Sequence, residues 1–233
     1  MIQLFTLFWD QFSKKYVLFP KGNTYADFSV LVPEDYDIIL QSKRSFVVRL
    51  KSTNDILKVV KPISYHEKMK FFWCRSRIHK EIRGNLYLAS LGFRVPKIFC
   101  SGYSLFPFGF NEGLGLYIME NLNLNGFINI DEAIYAKKID KQTRIEFFTR
   151  FIEELNTMSK KSRFIYTDLT LGNVMYNPKT KEVAWIDTGL SSFSKAVQKI
   201  KFKNSIIRFV DIHNQHLEDT EAAILNQYIE TLP

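Results

Sequence analysis

Apolar positions along the first 60 residues come in short runs. "KYVLF", "DFSVLV", "YDIILQ", "SFVVRLKS" and "DILKVVK" are rich in β-branched and aromatic residues, with turn-forming groups at Lys21-Gly22-Asn23, Ser42 to Ser45 and Thr53-Asn54 between them. Such close succession predicts strands joined as an antiparallel meander. The period then changes. From Ser64 to Leu91 the chain is charged and compatible with helix, with Ile78, Ile82, Leu86 and Ala89 on one face and Gly92 as its stop. Beyond Pro96, "KIFCSGY" and "GLYIMENL" read as two more strands around a Gly- and Pro-rich loop at 107–115.

A second half opens near Gly126. Ile145, Phe148, Ile152 and Leu155 recur at spacings of three and four, which predicts an amphipathic helix starting after Asp140 as N-cap. "NVMYN" and "EVAWID" read as the arms of a small hairpin turned at Asn177-Pro178 to Lys181. The tail from 192 to 233 alternates basic and apolar residues and is most simply helical. The pattern predicts a two-lobed α+β protein. Residues 1–121 form a β-rich lobe with one main helix, and residues 122–233 form a mostly helical lobe of minimal size.

Composition narrows this picture. Twenty-one Phe predict an aromatic-rich core. Cys74, Cys100 and four scattered His show no disulfide or zinc spacing. No stretch approaches the roughly 18 apolar residues of a membrane span. The opening "MIQLFTLFWDQFSKK" lacks a basic leader and is cut by Asp10, so it does not read as a signal peptide. Its apolar residues suit the protein's own core, and a membrane surface or partner is the other reading. The formal net charge of +8 favours an anionic partner: nucleotide, nucleic acid, acidic glycolipid or membrane leaflet. Nucleic acid is disfavoured, because Lys and Arg are spread through the chain without a recognition motif.

The chemistry concentrates in "FIYTDLTLGNVMYN" and "VAWIDTG". Asn173 begins one hairpin arm and Asp187 ends the other, so antiparallel pairing would bring them together. An amide oxygen and a carboxylate are hard donors that suit Mg²⁺. Asp168, five residues before Asn173 on a loop, could face an acceptor hydroxyl. Phosphoryl transfer asks for these parts together with a cation on the nucleotide phosphates. The bland alternative is that all three are turn residues or caps, since Asp and Asn are common there. Lys58 or Lys61 could be the cation, on opposite faces of one strand. Glu81 or Glu67 could partner it, or either could be part of a solvated helix face. "KAVQKIKFKNSIIR" reads as a solvated face, with anionic lipid or substrate as the alternative.

These residues resemble a known family. Asp168-x-x-x-x-Asn173 matches the catalytic-loop pattern of protein-kinase-like phosphotransferases, and Asp187-Thr188-Gly189 sits where their D-F-G does. Lys58 in "DILKVVK" resembles the strand lysine on the nucleotide phosphates, and Glu81 resembles its helix partner. "YIMENL" looks like the linker whose backbone from Glu120 to Leu122 hydrogen-bonds adenine, with Met119 behind it. The segment "RSRIHKEIRGNLYLASLGFRVPKIFCSGYS" is similar to a stretch of bacterial lipopolysaccharide core kinases, which phosphorylate Kdo or heptose and are membrane-associated. The resemblance fades before residue 40 and after 195. It implies a kinase using ATP and Mg²⁺ on a glycolipid or small sugar acceptor, in the cytoplasm or on the inner membrane's cytoplasmic face.

Departures from the pattern shape these expectations. Tyr166 and Thr167 stand where the histidine and arginine before the catalytic aspartate usually are, and Thr188 replaces the Phe of D-F-G. The lost histidine is a loop brace, and the lost arginine argues against control by activation-loop phosphorylation. No G-x-G-x-x-G precedes Lys58, so the turn "QSKRSF", with Ser42 and Ser45, would have to cover the phosphates. The stretch after Asp187 is short for a protein-substrate platform, which favours a small acceptor. An aminoglycoside- or choline-type kinase and a kinase-like binding module without turnover are the rival readings.

Overall fold

The computed structural model describes residues 6–9, 15–20, 33–104, 114–161, 164–166, 169–192 and 195–232. The expected strand "DFSVLV", most of the loop at 107–115, and Asp168 lie outside them. The chain divides into two units, Met1–Lys80 with Pro96–Asn121, and Glu81–Val95 with Leu122–Pro233. Residues 81–95 thus cluster with the second unit, whereas the sequence pattern assigned them to the first.

The first unit holds a seven-stranded antiparallel sheet. In chain order its strands are β1 (Thr6–Trp9), β2 (Lys15–Pro20), β3 (Tyr36–Gln41), β4 (Ser45–Leu50), β5 (Ile56–Val60), β6 (Ile98–Ser104) and β7 (Gly115–Met119). They lie side by side as β1-β2-β6-β7-β5-β4-β3. The meander holds for β3, β4 and β5, whose turns are tight and local. It does not extend to β2, which pairs with β6 while β7 lies against β5. Alternate residues of the central strands build one apolar layer from Phe46, Val48, Leu57, Val59, Leu116, Ile118 and Cys100. Burial pushes the Cys100 thiol up to about 11, so it packs as a small neutral group. Gly115 faces Gly102 so closely that a Cβ would collide with the Gly102 carbonyl, which explains glycine at the start of β7.

The helix expected from Ser64 to Leu91 is two helices, α1 (Tyr65–Phe72) and α2 (Arg77–Ser90). The break falls at Cys74, whose φ of 52° no helix accommodates. Ser64 caps α1 by accepting from the Glu67 amide at 3.3 Å. The Glu67 carboxylate accepts from the amides of Ile63, at 2.8 Å, and Arg77, at 3.4 Å, so it fastens both helix starts. The buried face of α2 runs through Ile78, Glu81, Ile82, Asn85 and Leu88, while Leu86 and Ala89 are exposed. Two polar residues in the buried stripe displace it from the face that apolar spacing suggests. Gly92, at φ 90°, ends the helix as expected, with the Phe93 amide donating to the Leu88 carbonyl at 3.1 Å.

The second unit has the aromatic core that composition suggested. Phe93, Phe147, Phe148, Phe151, Phe202, Phe209, Tyr176, Trp185 and Tyr228 pack in one cluster. Most hang on the long helices α4 (Lys141–Lys161), α5 (Lys195–His213) and α6 (Asp219–Thr231). Asp140 caps α4, accepting from the Thr143 amide at 2.8 Å. The buried stripe of α4 is Phe147, Phe148, Phe151, Leu155 and Met158, and Ile145 and Ile152 sit half-buried at its edge. A short helix, α3 (Ile130–Tyr135), follows β8 (Ile128–Asn129), which joins β10 (Val174–Asn177) and β11 (Glu182–Trp185) in a small antiparallel sheet. Phe164–Tyr166 (β9) pairs with Leu190–Ser192 (β12).

Candidate functional site

The predicted hairpin forms. Val174 pairs with Trp185, and Asn177 pairs with Glu182 at the turn end. Asn177 closes that turn, its Oδ1 accepting from the amides of Lys179, at 2.9 Å, and Thr180, at 3.2 Å. Its Nδ2 donates to the Asn125 carbonyl at 2.8 Å, which fixes the hairpin to the segment before β8. At the open end, the Ile186 amide donates to the Asn173 carbonyl at 2.9 Å. Asn173 is therefore adjacent across the hairpin to the residue preceding Asp187.

Local backbone sets both residues. Asn173 closes a 3₁₀ turn, Leu171–Asn173, its amide donating to the Thr170 carbonyl at 3.1 Å. Asp187 lies in the left-handed region at φ 54°, and its carbonyl accepts from the Gly189 amide at 2.8 Å. Asp and Asn tolerate this conformation better than other non-glycine residues, so an acidic residue fits the turn as well as the chemistry. Thr188 is 3% exposed, and its hydroxyl donates to the Glu81 carbonyl on α2 at 3.2 Å. The residue in place of the D-F-G phenylalanine thus ties its loop to a helix by a hydrogen bond.

Asn173 and Asp187 offer two hard oxygen donors on neighbouring backbone, a donor set that fits Mg²⁺. Among the described residues no group of three or more His, Cys, Asp or Glu could hold a metal ion. A cation here would take this amide–carboxylate pair, with water or phosphate oxygens at its other positions.

One residue of this region carried no signal in the sequence. His213, at the end of α5, accepts the Leu171 amide on Nε2 at 3.2 Å. It is 42 residues from Leu171 and 45 residues from Asp168, a separation that hides it from any local motif. Its ring packs on Phe209, with centroids 4.9 Å apart. Burial holds its pKa below the usual imidazole value of 6.5, Asp131 acts the other way, and His216 adds to the lowering. The neutral ring is the form that can accept on Nε2, and it then carries its proton on Nδ1.

The structure also describes Lys58 and Lys61, the two candidate cations of the first unit. Lys58, in the middle of β5, is 6% exposed and lies on the opposite strand face from Leu57 and Val59. Its ammonium sits 5.9 Å from the Tyr117 ring centroid. Lys61 points the other way, 5.8 Å from the Phe46 ring, and its Nζ donates to the Ser42 carbonyl at 3.4 Å. Burial is thus what distinguishes Lys58 from Lys61, since lysine is seldom buried in a strand unless paired. In the second unit, Glu81 is 5% exposed, so it is not part of a solvated helix face.

Ser42 and Ser45 have local work. The Ser42 hydroxyl accepts from the amides of Arg44, at 3.1 Å, and Ser45, at 3.0 Å, and the Ser42 amide donates to the Ser45 carbonyl at 2.9 Å. These bonds close the β3–β4 turn on itself and use amides that a phosphate-cradling loop would present. The Glu120 carboxylate accepts from the Lys97 amide at 3.1 Å, and its own amide donates to the Lys97 carbonyl at 2.9 Å. Leu122, buried, opens the 3₁₀ turn Leu122–Asn125, and its carbonyl accepts from the Phe127 amide at 3.2 Å.

Together these elements define a protein-kinase-like fold: a unit built on an antiparallel sheet, and a mainly helical unit carrying a small hairpin. Among solved structures the chain is similar to WaaP in complex with acyl carrier protein, with a TM-score of 0.52 and 9% identity over 84% of this chain and 79% of that one. The likeness is one of fold. No family model and no curated protein matches the sequence.

Proposed function

We propose that the chain is an ATP-dependent phosphotransferase acting on a sugar hydroxyl of the lipopolysaccharide inner core, Kdo or heptose. The observation that supports this reading is the Ile186-to-Asn173 backbone bond, which pairs Asn173 across the hairpin with the residue before Asp187 on a kinase-like fold. Residues 1–121 would act as the nucleotide lobe and 122–233 as the catalytic lobe. Asn173 and Asp187 would hold Mg²⁺, which when bound neutralises phosphate charge. Lys58 would hold the α- and β-phosphates, and Glu81 keeps the acidic role the resemblance implies. Backbone groups of Glu120 and Leu122 would bind adenine. Ser42 and Ser45 would shape the turn over the phosphates rather than bind them through free amides.

Asp168 would accept the proton of the acceptor hydroxyl as its oxygen attacks the γ-phosphorus and ADP leaves. Asp168→Ala should lower turnover by at least about a hundredfold, the usual worth of a general base, with ATP affinity nearly unchanged. Steady-state kinetics on Kdo- and heptose-containing acceptors, alongside ATP titration, check this, and equal loss of binding and turnover would remove the role. The net charge of +8 supports an anionic acceptor at the cytoplasmic face of a membrane. No helix among the described residues is long and apolar enough to cross one.

A further inference from the structure

We infer that His213 is a positioning residue for the phosphotransfer site: it holds the Leu171–Asn173 turn, and through it Asn173, by accepting the Leu171 amide. The inference rests on the phosphotransferase reading above and adds a residue that no motif contains.

Three observations converge on His213. The first is the bond itself, Leu171 N–H to His213 Nε2 at 3.2 Å, in buried surroundings. Leu171 is fully buried, so its amide has no water to fall back on, and an unmet buried donor is costly. The second is a pair of buried polar atoms without a hydrogen-bond partner among the described residues, His213 Nδ1 and Asp131 Oδ1. With Nε2 accepting, Nδ1 is a donor, and a carboxylate oxygen is an acceptor. The two are complementary, and Asp131 exerts an electrostatic pull on the ring. An N–H donor on one side and a carboxylate acceptor on the other orient an imidazole in one tautomer.

The third observation is that Asp131 and its neighbour Asn129 also meet the turn. Asp131 Oδ2 lies 3.9 Å from the position of a Cβ on Gly172, and Asn129 Nδ2 donates to the Gly172 carbonyl at 3.5 Å. The turn between Thr170 and Asn173 is therefore held from α5 by His213 and from the N-cap of α3 by Asn129, with the Asp131 carboxylate packed beside it. The sequence lacks the histidine that usually precedes the catalytic aspartate, and Tyr166 occupies its place. His213 supplies a brace for the loop from a different element.

The test uses the full chain with His213→Leu and His213→Gln. Gln can place its Oε1 where Nε2 stood and accept the Leu171 amide, whereas Leu fills the space without an acceptor. Two readouts are taken: hydrogen exchange of the Leu171 amide by NMR, and the Mg²⁺ concentration needed for ATP to stabilise the protein. With His213→Leu, Leu171 exchange should rise and apparent Mg²⁺ affinity at saturating ATP should fall about tenfold, as when a group orienting a metal ligand is removed. ATP binding without Mg²⁺ should be unchanged, and His213→Gln should restore both readouts. If His213→Leu does not fold, His213→Asn carries the same comparison, because its shorter amide stops at the Nδ1 position. Unchanged Mg²⁺ dependence in a folded Leu or Asn variant overturns the brace while leaving the phosphotransferase reading intact. Absence of any Mg²⁺-dependent ATP binding in the wild type overturns that reading, and the brace with it.

Discussion

At Asp187 two demands meet in one side chain. The backbone there is left-handed, at φ 54°, which costs most residues about 1–2 kcal/mol and costs Asp and Asn less. Asp187→Ala would mix loss of the carboxylate with backbone strain, whereas Asp187→Asn removes the charge and keeps a residue suited to the turn. His213 is the other residue whose environment has a measurable consequence. Its ring faces Asp131 on α3, His216 on the turn after α5, and the Leu171 amide. Burial depresses its pKa, so the unfolded chain takes up a proton that the folded protein resists. Its contribution is whole above the unfolded value of 6.5 and is lost as pH falls from there through the depressed folded value. Thermal melts between pH 7.5 and pH 5 should show the wild type losing more stability than His213→Gln, since glutamine does not titrate. Parallel curves would contradict that assignment. The position of Asp187 at the open end of the hairpin was legible because the hairpin is local, and His213 was not, because its partner lies 42 residues away.

In the second unit a buried ion pair joins two of the long helices. Arg144 on α4 reaches Glu221 on α6 through Nε, at 2.6 Å, and Nη2, at 2.7 Å, and Nη2 also donates to the His216 carbonyl at 2.7 Å. Glu221 also accepts from the Glu218 amide at 2.9 Å, so the same carboxylate caps its own helix. The Glu221 carboxylate holds the Arg144 guanidinium above its ordinary pKa. Breaking a buried pair from one side leaves an uncompensated charge, and Glu221→Ala should cost about 3–5 kcal/mol. Urea denaturation measures it, and a loss within ±0.5 kcal/mol, the range of ordinary surface substitutions, would contradict the placement. Elements whose signals are local were legible: the Asp140 cap, the Gly92 stop and the Asn177 turn. The split of 64–91 into α1 and α2 was not, because the interruption at Trp73 to Ser76 contains neither Gly nor Pro. The buried face of α2 was misread because Glu81 and Asn85 lie on it, and polar residues carry no weight in an apolar pattern.

For the whole molecule, composition told more than periodicity. A chain with this many Phe was expected to have an aromatic core, and the second unit has one. The β3-β4-β5 meander was legible from short turns. The sheet order was not, since placing β6 and β7 between β2 and β5 depends on pairings between strands distant in sequence. The kinase-like fold followed from the order of weak motifs, each of which is common by itself. What those motifs leave to experiment is whether the constellation binds a metal–nucleotide complex. The most direct measurement is thermal unfolding with ATP, with and without Mg²⁺, on wild type and Asp187→Asn side by side. At a hundredfold excess over Kd, Mg²⁺ with ATP should raise the wild-type Tm by roughly 5 to 10 °C. ATP without Mg²⁺ should do much less, and Asp187→Asn should lose the metal-dependent part. No shift in the wild type, or an equal shift in Asp187→Asn, would contradict the phosphotransferase site.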